Sequence, residues 1–172
     1  ASPNTSTDRT LTLPDATGTV LTTATAGVPI GGPALSAYQS VSQTLGGAAK
    51  IQFQTEEFDT ASCYNNTGST VGGIPAYAFL PLVAGYYQVS ASLSENTTLC
   101  GVQLFLYKNG SAYKNLYNVT DTVVNGAQGS ALVYLNGSTD YIEIYGAFNV
   151  SQSTQAQAVS TYFQAAMVRS AT

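Results

Sequence analysis

Three carboxylates, Glu56, Glu57 and Asp59, crowd one short stretch of this 172-residue chain, and Cys63 and Cys100 are its two thiols. Histidine is absent. That excludes Ser-His-Asp and Cys-His nucleophilic sites and His-ligated zinc, and two cysteines alone cannot complete a zinc site. Nine carboxylates in all would suffice by count for paired-carboxylate glycan hydrolysis. Yet Glu143 alternates with apolar strand residues, and most of the others fall in turns or near the N-terminus. A general acid needs a pocket that shifts its pKa, so the expectation is a protein that is not an enzyme. Glu57 and Asp59 share a strand face and are the candidates for a calcium site, since calcium takes about six to eight oxygen ligands. The competing reading is a solvated strand end. No other cofactor is expected.

Cys63 falls in a long loop, 60–76, and Cys100 at a strand entrance, so a disulfide and a pair of free thiols are both open. The same loop offers Tyr64, Asn65, Asn66, Thr67 and Ser69, aromatic and hydrogen-bonding groups suited to a sugar. Gly68, Gly72 and Gly73 let the backbone bend to present them. These residues are the candidates for receptor binding; the alternative is a loop that merely covers a sheet edge. Asn-x-Ser/Thr sequons begin at seven of the ten asparagines, Asn4, Asn65, Asn96, Asn109, Asn118, Asn136 and Asn149. In a chain this rich in Ser and Thr accidental matches are expected, and the Asn-Gly pairs at 109 and 136 read first as turns.

The elements that must position these groups are strands. After Gly85, the residues Tyr87, Val89, Ala91 and Leu93 alternate with Tyr86, Gln88, Ser90 and Ser92, the period of a strand with one dry face. Strands are expected at 35–42, 50–58, 77–82, 86–94, 101–108, 112–119, 129–136, 140–148 and 159–168, with no helix. Eight or more antiparallel strands at this spacing predict an all-β, double-sheet jelly-roll sandwich over 34–172. Residues 1–33 contain no aromatic residue and are rich in Thr, Ala, Gly and Pro. They cannot fold alone and read as an extended arm or stalk, on the order of 100 Å when stretched. The chain opens on Ala1 without a signal-peptide pattern, as expected of a processed chain or a fragment.

Only 8% of residues are charged, against about 25% in ordinary soluble domains. A surface solvated by hydroxyls and amides lacks charge repulsion and suits a permanent oligomer or an outer particle surface. The net charge of −4 and five scattered cations, Arg9, Lys50, Lys108, Lys114 and Arg169, argue against nucleic-acid binding. No apolar run approaches the ~20 residues of a membrane-spanning helix, so membrane insertion is not expected. Twelve tyrosines and six phenylalanines supply packing area with polar tips. Phe105, Tyr107, Tyr141 and Tyr145 stand beside strand residues pointing the other way, which marks them as candidates for a subunit interface.

The corner Phe79, Pro81, Gly85, Tyr87, the strand end Leu106 to Gly110, the run Leu135 with Asp140 to Ile144, and the terminal Tyr162 to Val168 carry a family pattern. The chain resembles the trimeric jelly roll of the complement-head and tumour-necrosis-factor-like superfamily, from about Lys50 to Arg169. It departs from that pattern at Asp140-Tyr141, at Ala165 where Gly is common, and in lacking Trp. Residues 10–20 resemble segments of tailed-phage fibre and appendage proteins. The resemblance implies a homotrimeric, non-enzymatic virion protein, a fibre or a capsid or tail decoration. Its arm would attach to other virion proteins, and its knob would stabilise the particle or engage a host-surface glycan or protein with the avidity of three sites. The alternatives are a secreted, extracellular complement-like recognition or signalling domain, and a glycan hydrolase mounted on a fibre.

Overall fold

The computed structural model describes residues 31–96 and 99–171, which lie in a compact unit beginning at Gly31. The arm expected over 1–33 lies outside the described residues apart from its last three. Among the described residues there is no helix. Eleven strands run β1 (Ala34–Tyr38), β2 (Thr44–Leu45), β3 (Ala49–Lys50), β4 (Thr55–Asp59), β5 (Ala84–Ser94), β6 (Cys100–Lys108), β7 (Ser111–Val124), β8 (Gly126–Asn136), β9 (Ile142–Phe148), β10 (Gln152–Ser153) and β11 (Tyr162–Ser170). They form a five-stranded sheet ordered β4-β1-β11-β5-β8, a four-stranded sheet ordered β3-β9-β6-β7, and the short pair β10-β2. The strand pairings among the described residues are antiparallel, as a jelly roll requires.

The alternation after Gly85 holds along β5. Tyr87, Val89, Ala91 and Leu93 are buried, while Tyr86 and Gln88 are exposed. Opposite them, Val102, Leu104 and Leu106 of β6 and Ile142, Ile144 and Phe148 of β9 supply the other sheet's inner face. The centre of the sandwich is aromatic: Phe163 lies 5.8 Å from Phe53, 6.0 Å from Tyr64 and 6.4 Å from Phe79, ring centre to ring centre. Such tilted and edge-on pairs add to the area they bury. Gly146 of β9 sits where a Cβ would come within 2.4 Å of Leu93 and 2.9 Å of Ile51. Replacing Gly146 with Ala is therefore expected to destabilise the domain by about 1–3 kcal/mol through overpacking, read as a lower urea midpoint at unchanged slope.

Two expected strands differ. Residues 50–58 do not run through: β3 belongs to the four-stranded sheet and β4 to the five-stranded one, so 51–54 cross between layers. Ile51 and Phe53 are buried in the crossing, and Gln54 Oε1 accepts the N–H groups of Ser40 and Val41. The segment 77–82 is not a strand either. Phe79 alone makes bridges, to Tyr64 and Ile142, and Pro81, which has no N–H to offer a ladder, closes the segment. Its role is the corner: Tyr87 donates its hydroxyl to the Val83 carbonyl at 2.7 Å and packs on Phe79 at 5.8 Å.

The Asn-Gly turns behave as their chemistry demands. Asn109 and Gly110 have φ of 53° and 76°, the consecutive left-handed pair of a two-residue hairpin turn. Asn136 instead caps a longer connection, its Oδ1 accepting the N–H groups of Ser138, Thr139 and Asp140. Asp140 locks the two turns together, accepting from Asn109 Nδ2 at 2.8 Å and the Asn136 N–H at 3.1 Å, and ion-pairing with Lys108 at 2.8 Å. Burial alone would raise this carboxyl, but those donors and the Lys108 charge outweigh it and hold it below its usual range. A depressed folded pKa gives stability that is present above the ordinary aspartate pKa of about 4 and lost as pH falls through the lower folded value. Asp140→Asn is expected to be less stable than the parent by about 1.5–3 kcal/mol at neutral pH. The gap should close in strong acid, read as melting temperature against pH.

Candidate functional site

The loop between β4 and β5 is built from within. Asp59 ends β4 and turns its carboxylate onto the chain that follows, accepting the N–H groups of Ala61, Cys63 and Tyr64 at 3.1, 2.7 and 2.8 Å. Cys63 Sγ also lies 3.4 Å from Asp59 Oδ1. Asn65 then holds the rest. Its Nδ2 donates to the carbonyls of Ser69, Ile74 and Pro75, and its Oδ1 accepts the Thr67 N–H and hydroxyl, all between 2.7 and 3.1 Å. Val71 and Ile74 exchange both backbone hydrogen bonds across the tip, where Gly72 and Gly73 take φ of 57° and 85°. Lys50 fixes the far end, donating to the Ala76 carbonyl at 2.9 Å while ion-paired with the buried Glu143.

These contacts redistribute the expected site residues. Tyr64 and Asn65 are buried, at 7% and 4% exposure; Tyr64 donates its hydroxyl to the Phe53 carbonyl at 3.0 Å. Both are the loop's framework. Asn66, Thr67 and Ser69 reach the surface. Glu57 and Asp59 are not brought together as a metal pair: Glu57 Oε2 takes the Ser36 hydroxyl at 2.6 Å, and Asp59 is spent on the loop backbone. No group of three metal-ligating side chains occurs among the described residues. Cys63 and Cys100 do not form a bridge; both are buried free thiols. Burial first, and then the neighbouring Asp59 charge, push the Cys63 thiol far up, which keeps it protonated and unreactive. The sequon asparagines Asn65, Asn109, Asn136 and Asn149 engage their carboxamides in hydrogen bonds within the chain.

The loop encloses a pocket of about 460 Å³ against the start of β5 and the end of β8. Its walls are apolar at Val71, Ile74, Leu80 and Leu82 and polar at Ser62, Asn66, Thr67 and Ser138, and the buried Tyr64 and Asn65 also contribute to the lining. No carboxylate, amine or thiol lines it.

A second feature lies on the outward face of the five-stranded sheet. Tyr86 on β5 and Tyr134 on β8 are register partners with ring centres 5.4 Å apart. With Leu132 and Val168 they border a groove of about 610 Å³, and Phe58 stands at the other side of the sheet beside a further groove. These five side chains are 42–58% exposed. Neither β5 nor β8 contains a charged residue. Phe105, Tyr107, Tyr141 and Tyr145 lie instead with the four-stranded sheet and are half-buried. Tyr107 and Tyr145 stack on each other at 3.8 Å and 13°, so much of their ring area is already covered within the protomer.

Solved structures match this architecture. Eiger TNF from S. frugiperda superposes with a TM-score of 0.61 at 9% identity, over 83% of this chain and 96% of that one. The fold is a jelly roll of this kind. The globular domain of zebrafish complement 1qA protein gives 0.54 at 13% identity, over 81% and 99% of the two chains. The PRD1 vertex protein P5 gives 0.50 at 15% identity, over 83% and 99%. No family model matches the sequence, and no curated protein is significantly similar to it.

Proposed function

We propose that the chain is a non-enzymatic, homotrimeric head of a virion appendage or decoration that attaches the particle to a host surface or stabilises it. The observation that carries the trimer is the outward face of the five-stranded sheet along the uncharged strands β5 and β8, where Tyr86, Leu132, Tyr134 and Val168 border one groove with Arg169 at its margin. Patches of this kind mark contact surfaces. The subunit contact is assigned to this face rather than to Phe105, Tyr107, Tyr141 and Tyr145, and the resemblance to a trimeric superfamily supports three copies. A pocket lined by no carboxylate, amine or thiol that could activate water supports a binding rather than a catalytic role. The likeness to a vertex protein, the charge-poor composition and the phage-appendage resemblance of residues 10–20 favour a virion over a secreted ligand. The genes flanking this one test that choice: capsid and tail genes are expected, and a cellular secretory neighbourhood would overturn it.

A further inference from the structure

We infer that the loop pocket is a pre-formed binding site for an uncharged saccharide, an inference that rests on the attachment reading. Backbone strain gathers here. Among the described residues three non-glycine positions have positive φ, Ser62 at 52°, Tyr77 at 51° and Asn109 at 53°. Asn109 sits in a hairpin turn that favours it, whereas Ser62 and Tyr77 bracket this loop. For a ring-bearing residue such as Tyr77 the conformation is a true outlier, and strain of this kind collects at ligand clamps. The hydrogen bonds from Asp59 and Asn65 hold the strained backbone in place, so the pocket exists before its ligand arrives and little ordering cost attends binding.

What the loop holds open is mixed in chemistry. Val71 and Leu82 remain 53% and 72% exposed and present branched aliphatic surface. Ser62, Asn66, Thr67 and Ser138 stand around them with uncharged donors and acceptors. A pyranose ring offers the complement, a C–H face for the aliphatic wall and a rim of hydroxyls for the carboxamide and serines. The volume falls within the range of small-ligand sites, about 300–1,000 Å³. With no cation in the lining, an acidic sugar would leave its charge unpaired.

The test is titration of the intact protein with uncharged and acidic oligosaccharides by NMR, alongside adsorption to cells of the host. The expected result is saturable binding of an uncharged oligosaccharide. It should weaken about tenfold in Asn66→Ala, as loss of the hydrogen bonds of one carboxamide predicts, with a parallel loss in adsorption. Ser138→Ala is the second variant, on a separate connection, should the first disturb the loop. Binding of acidic oligosaccharides alone, or undiminished binding by both folded variants, overturns the inference. Cell adsorption that persists unchanged in both variants, without saccharide binding, overturns the pocket but leaves the attachment reading standing. Absence of both saccharide binding and adsorption overturns the pocket and the attachment reading together.

Discussion

Replacing Leu132 and Tyr134 with glutamate is expected to convert the oligomer into a folded monomer. Both side chains point away from the sandwich on a strand without charge, so the protomer's own core, including Val133 and Leu135, is left untouched. In the assembly the two carboxylates of each copy would be desolvated against a largely apolar surface, where Arg169 borders the groove and Lys108 is already paired with Asp140. Burying an uncompensated charge costs about 3–5 kcal/mol, so even one unpaired carboxylate per protomer should strengthen dissociation by roughly a hundredfold or more. Sedimentation of the variant at micromolar concentration should show one chain, with melting of the monomer still cooperative. An unchanged oligomer would place the contact on another face, the Tyr107–Tyr145 side being the next to test.

Asn65→Ala is expected to open the loop while sparing the sandwich. The carboxamide makes five hydrogen bonds, and its truncation strands buried carbonyls at about 1–3 kcal/mol each. The loop escapes that cost by opening to water, so the effect is local rather than global. Amide exchange over residues 65–76 should accelerate about a hundredfold, whereas amides in β5 and β9 keep their protection. Loss of protection throughout the domain would mean that the loop is integral to the core.

The contrast between Asn65 and Asn66 shows where the sequence stops being legible. Both are neighbouring asparagines in a Gly-rich loop, and both read as ligand groups. Only the fold reveals that one faces inward and carries the loop backbone, because that depends on carbonyls at 69, 74 and 75 brought close by the turn at Gly72-Gly73. Tyr64 lines the loop pocket but is buried, and nothing local in the sequence reports that Phe53, Phe79 and Phe163 converge on it. Strands were more accessible. The period-two pattern at 86–94 stated both the element and its buried face, and Asn109-Gly110 stated its turn. The crossing at 51–54 was hidden, since alternating Ile51 and Phe53 look the same in a continuous strand and in a segment passing between layers. Which outer face is free to meet a partner was hidden too. A strand apolar on both sides shows that something covers the outer side, but not whether the cover is a partner or, as for Tyr107 and Tyr145, a neighbouring ring of the same chain.

Sedimentation equilibrium of the unmodified protein at micromolar concentration tests the central claim most directly. The account predicts a single species of three 17.8 kDa chains, stable on dilution. A stable species of one chain would contradict it.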